Sequence, residues 1–118
     1  MNLIWWTKHR VKIDTCIIKQ GNQYKILDDF IDIKEFSSDV QYALNDMEFE
    51  EIKGIIAYDD EIIVEFHTND QDEILEISSV EFSGVEIKKS SIIYDAIFEM
   101  ITNEDYIILE EESYLEEK

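Results

Sequence analysis

Proline is absent from the 118 residues and glycine occurs only three times, which excludes long flexible linkers and argues for one domain. A single cysteine, Cys16, excludes an internal disulfide and suits a reducing compartment. No apolar run approaches the roughly 18 residues that a membrane-spanning helix needs. Met1 to Lys8 lacks the basic start and apolar length of a secretory signal. The expectation is a cytosolic protein with no membrane association. Two histidines, His9 and His67, are far apart and sit in no ligand-spaced pattern, so no metal or other cofactor is expected. No phosphate-binding glycine loop, nucleophile elbow or zinc-helix motif occurs, and no catalytic residue is assigned. The expectation is that the protein is not an enzyme.

Basic residues are scarce too. Ten Lys and Arg face 29 Asp and Glu, a net charge of −19. The imbalance is uneven: residues 1–53 carry a net −3 and residues 54–118 a net −16. Self-repulsion on that scale works against a compact state, and solubility alone needs a net charge of only about 2–8 in magnitude. Nucleic acid and anionic membranes are repelled as direct partners. A basic protein surface is the favoured target.

Apolar residues make up 45% of the chain, enough for one globular core. Three runs rich in Ile, Val, Phe and Tyr, at 51–58, 61–68 and 74–82, are separated by Asp59-Asp60 and by Asn69 to Glu73. They predict an antiparallel meander with turns at both acidic breaks. Val11 to Ile18 and Tyr24 to Leu27 predict a hairpin around Gln20-Gly21-Asn22-Gln23, and Leu3 to Trp6 a separate short strand. Asp28 to Phe36 fits a helix or a strand. A helix opens at the Ser37-Ser38 pair, with Ser38 and Gln41 spaced as a capping box and Val40, Ala43, Leu44 and Met47 on one face. A second helix, capped by Ser90 or Ser91, buries Ile93, Ala96, Ile97, Met100 and Ile101 and ends on a left-handed Asn103. Tyr106 to Leu109 predicts a last strand. The fold expected is α+β: a single domain, 1–118, with an antiparallel sheet centred on 52–82, helices over about 38–48 and 91–102 on one face, and an acidic tail fraying from about 110.

Cys16 lies among isoleucines and is expected to be a buried, inert thiol. Asp70 to Glu73 lacks the glycine and the distant glutamate of a calcium loop. Side-by-side acids such as Asp59 and Asp60 are expected in solvated turns. Of Trp5 and Trp6, one must face away from the other on a strand. An outward aromatic amid acids, such as Tyr106 or Tyr114, is also what an interface anchor looks like.

A small acidic domain without catalytic motifs, its charge concentrated in residues 54–118, resembles the bacterial toxin-immunity proteins, including those of contact-dependent growth inhibition systems. The resemblance implies a 1:1 hetero-complex in which carboxylates cover the substrate cleft of a basic nuclease toxin. The expected partner-binding residues are the loop acids Asp59, Asp60, Asp70, Asp72 and Glu73, with the terminal group Glu104, Asp105, Tyr106, Glu110, Glu111, Glu112 and Tyr114. The same charge suits two other classes: a phage-type nucleic-acid mimic directed at a restriction or CRISPR effector, and an acidic adaptor subunit. A duplex mimic needs carboxylates in rows spaced like phosphates, whereas these acids concentrate in turns, on outward strand positions and at the end of the chain.

Overall fold

A computed structural model of the chain describes residues 3–26 and 29–117, with side chains for all of these but 3, 4, 29, 35, 60 and 115–117. Leu27 and Asp28 lie outside the described residues. Two long strands dominate. β1, Leu3–Gln20, runs antiparallel to β5, Ile55–Asn69, in a ladder from Trp6 opposite Asn69 to Lys19 opposite Ile56. A strand of 18 residues at about 3.3 Å per residue accounts for the 59 Å long axis of a molecule only 24 × 22 Å across.

Each end of this ladder is widened by different strands. At one end β2, Gln23–Ile26, pairs β1, and β3, Asp29–Asp32, pairs β2. On the far edge of β5, β4, Phe49–Ile52, pairs residues 55–58. At the other end β6, Ile74–Phe82, takes the same edge of β5 along 62–68, followed by β7, Val85–Glu86. There β8, Ile107–Glu117, pairs the N-terminal part of β1. The predicted meander is therefore modified. β4 and β6 lie end to end along one edge of β5, because β1 occupies the other.

Three expectations about the strands are corrected. Asp59 and Asp60 make no turn: β5 runs through them, with Cys16 opposite Asp59 and Thr15 opposite Asp60. The reversal comes earlier, at Lys53-Gly54, where both residues have positive φ (49° and 80°), as a two-residue hairpin requires. A full ladder partner in β1 outweighs the turn preference of aspartate, since strand propensity depends on context. Residues 110–117 are not a frayed tail but continue β8, with Glu110 opposite Arg10 and Glu112 opposite Lys8, and opposite charges across strands favour that pairing. Leu3 to Trp6 and Val11 to Ile18 form one strand, not two.

Alternation along β1 puts His9, Val11, Ile13, Thr15 and Ile17 on a buried face, matched on β5 by Tyr58, Ile62, Val64, Phe66 and Thr68. Both helices cover this face. α1, Ser38–Asp46, buries Val40, Ala43 and Leu44, with Met47 just beyond it, and α2, Ile93–Thr102, buries Ile93, Ile97 and Ile101. The α+β class and the one-sided helical layer hold. The caps shift: Ser37 Oγ accepts from Val40 N at 3.4 Å, while Gln41 Nε2 donates to the carbonyls of Ile33 and Phe36, so the Ser38–Gln41 box is not formed. Ile92 takes the cap position of α2, with Ser91 Oγ accepting from Ile93 N. The left-handed residue after α2 is Glu104 (φ 60°), not Asn103 (φ −86°). The ambiguous stretch after Asp28 splits into β3 and a 3-10 turn, Ile33–Glu35.

A candidate acidic cleft

Side chains at Glu110, Glu111 and Glu112 cannot act together, because successive strand residues point to opposite faces. Glu111 lies on the helix side, its Oε2 3.2 Å from Nδ1 of His9. Glu110 and Glu112 lie on the open face beside Lys8 and Arg10. That open face holds a row of cations flanked by acids. Lys8 pairs with Glu65 at 3.8 Å, and Lys12 Nζ donates to Glu61 at 3.1 Å and lies 3.4 Å from Asp14. The hydrogen bond to Glu61, with the Asp14 and Glu61 charges, raises the Lys12 pKa. Tyr114 is on this face too, stacked on Trp6 with ring centroids 4.3 Å apart, its hydroxyl donating to Glu112. Trp6 also meets the edge of His67, while Trp5 is exposed.

The helix side is different. Glu111 joins Asp72 and Glu73 from the β5–β6 turn and Glu104 and Tyr106 from the α2–β8 turn around a cleft of about 540 Å³. Two segments distant in sequence, the β5–β6 turn and the α2–β8 turn with β8, thus converge. The β5–β6 turn is held by Asn69, whose Oδ1 accepts from the backbone N of both Gln71 and Glu73 at 2.9 Å, and by a left-handed Asp72 (φ 61°). Apolar lining comes from Phe66, Ile74, Phe98, Ile101 and Ile108. No lysine or arginine lines the cleft among the described residues.

His9 closes its inner end. The imidazole is buried, stacked on Phe66 at 4.7 Å, with Nε2 hydrogen-bonded to Thr68 Oγ1 at 2.8 Å. Glu111 stands at ion-pair distance from Nδ1 but off the line of a hydrogen bond, so Nδ1 has no such partner. Tyr106 packs edge-on against Phe66 at 5.7 Å. Burial raises the pKa of its phenol, and the Glu104, Glu111 and Asp72 charges raise it further. The group stays protonated at neutral pH, a donor among acceptors; desolvation leads its shift and the neighbouring carboxylates add to it.

The remaining expected residues are dispersed. Asp70 sits on the same turn but outside the cleft lining, and Asp105 lines a neighbouring hollow with Lys12 and Asp14. Asp59 lies ten residues along β5 from Asn69, about 33 Å away at strand rise. It lines a second cleft of about 740 Å³ with Cys16, Phe49, Glu48 and Glu50. The side chain of Asp60 is outside the described residues. Cys16 is half-buried and unpaired; burial, then the Asp59 charge, raises its pKa. Among the described residues no three His, Cys, Asp or Glu side chains converge as a metal site, and no helix is long and apolar enough to cross a membrane.

Sequence reasoning missed His9, Thr68, Phe98 and Ile108. A signal existed for His9, since it shares the parity of Val11 and Ile13 and so belongs to the buried face once β1 is read as one strand. No protein-family model matches the chain, and no curated protein or solved structure is significantly similar to it.

Proposed function

We propose that this protein is a non-catalytic inhibitor of the immunity-protein kind, which neutralises a basic nuclease toxin by presenting carboxylates to its substrate-binding cleft. The observation that carries this reading is the gathering of Asp72, Glu73, Glu104 and Glu111 around one hollow with Tyr106 and no basic side chain. Carboxylates at the rim can stand where phosphates would, meeting lysines and arginines of a nucleic-acid groove. The exposed apolar walls at Phe98 and Ile108 supply surface that charge alone does not, and a tyrosine at the centre suits an interface anchor. Relative to the sequence expectation, the proposed site narrows to Asp72, Glu73, Glu104, Tyr106 and Glu111. Glu110 and Glu112 are set aside from the cleft because they lie on the open face of the sheet, away from it. The proposed complex is 1:1, cytoplasmic, and free of direct nucleic-acid contact.

The test is co-purification with the product of the adjacent open reading frame, followed by nuclease assay. Reversal of Asp72, Glu104 and Glu111 to lysine is expected to abolish inhibition. Reversal of Glu50 and Asp59 in the second cleft should leave it intact. A neutral or acidic partner, or inhibition that survives the first set and fails with the second, sinks the proposal.

A further inference from the structure

β8 is the outermost strand of its half of the sheet. It pairs β1 on one side, and no strand among the described residues pairs its other side. An unpaired edge offers a row of backbone N–H and C=O groups that can template another strand. Proteins commonly blunt such edges with short length, proline, bulges or charged side chains, lysine above all. β8 has 11 residues and neither proline nor lysine, and its charges are all carboxylates, which repel an acidic strand but not a cationic one. All of 107–114 are exposed, and Ile107, Ile108 and Leu109 stand 52, 53 and 46% exposed in succession, so apolar surface flanks the edge on both faces. The register shift opposite Arg10/Val11 lies near the start of the strand, leaving Glu110 onward in regular pairing.

Charge decides the occupant. A second copy pairing through its own β8 about the acidic run would set Glu110, Glu111 and Glu112 against one another, and like charges directly opposite are destabilising. Glu111 marks the helix side of the edge, Glu110 and Glu112 the open side. A cationic strand therefore meets carboxylates whichever way each of its side chains points.

We propose that an extended lysine- or arginine-bearing segment of the partner adds to the sheet along the free edge of β8, residues 107–114. This rests on the reading of the partner as a basic protein. It extends that reading to a second mode of contact, backbone pairing, at the wall of the cleft that Tyr106, Ile108 and Glu111 already form.

The probe is a capped peptide of about eight residues alternating lysine and valine, compared with the same peptide N-methylated at every residue, against the intact protein at about 0.15 M salt. The two share charge and side chains, but the methylated one cannot donate along either of its edges. The parent peptide is expected to bind and to slow hydrogen exchange at amides within 107–114. The methylated one should bind about thirtyfold or more weakly, since about four backbone hydrogen bonds are lost. Equal affinity of the two, binding without protection in 107–114, absence of binding, or protection arising from a dimer of the protein each overturns the edge proposal. Equal affinity would leave the acidic-cleft reading standing.

Discussion

The imidazole of His9 and the carboxylate of Glu111 lie 3.2 Å apart, joining the buried face of β1 to the solvent-facing rim of the cleft. The two sides of this pair differ in exposure, 11% for the histidine side chain and 47% for the glutamate. Their substitutions should therefore separate stability from binding. Glu111→Ala is expected to change unfolding free energy by less than about 1 kcal/mol, since its carboxylate is largely solvated and makes no hydrogen bond to the imidazole, while slowing association with a basic partner. Urea unfolding and stopped-flow association on the same variant check both halves.

Thr68→Val removes the group hydrogen-bonded to His9 Nε2 in a buried setting. Leaving that nitrogen unsatisfied is expected to cost about 1–3 kcal/mol. Urea unfolding gives the measurement, and a loss under about 0.5 kcal/mol would mean that the bond contributes little.

Salt should stabilise the protein. A net charge of −19 is eased by screening, with a Debye length of about 8 Å at 0.15 M. The Tm is expected to rise from low salt to about 0.15 M NaCl. A fall would mean that the ion pairs of the open face, Lys8–Glu65 and Lys12–Glu61, outweigh the repulsion.

Alkaline pH should destabilise it. Burial raises the pKa of the Tyr24, Tyr94 and Tyr106 phenols above the ordinary value. The unfolded chain then loses these protons first, so native protein holds more protons than unfolded at high pH and stability falls. Their contribution is complete below the unfolded value of about 10 and disappears as pH climbs through the higher folded values. Absorbance titration should place Tyr106 lower in Glu104→Gln/Glu111→Gln than in the parent. An unmoved Tyr106 would count against the negative field.

Lys53 occupies the left-handed region at the β4–β5 turn, where asparagine followed by glycine is preferred. Lys53→Asn is expected to stabilise by up to about 1 kcal/mol, read from the urea midpoint, because asparagine tolerates the left-handed region better than lysine.

Much of the layer structure was legible in local pattern. The stripes Val40, Ala43, Leu44 and Ile93, Ile97, Ile101 repeat at three- and four-residue spacing, so the helices and their buried faces follow from the chain's own periodicity. The Asn69–Glu73 reversal likewise follows from residues that make turns among themselves. Net charge and the class of partner it favours are properties of composition. The rest depended on partners distant in sequence. Whether Asp59 and Asp60 turn or extend is decided by Cys16 and Thr15 across the ladder, and whether 110–117 fray or pair is decided by the N-terminal part of β1. Pairing then fixes parity, sending Glu111 to the cleft and Glu110 and Glu112 to the open face, a division that no charge count over the same residues contains. The cleft itself exists only because tertiary packing brings the β5–β6 turn, the α2–β8 turn and β8 around His9. Composition determined how much negative charge this protein carries; strand register decided where it is free to act.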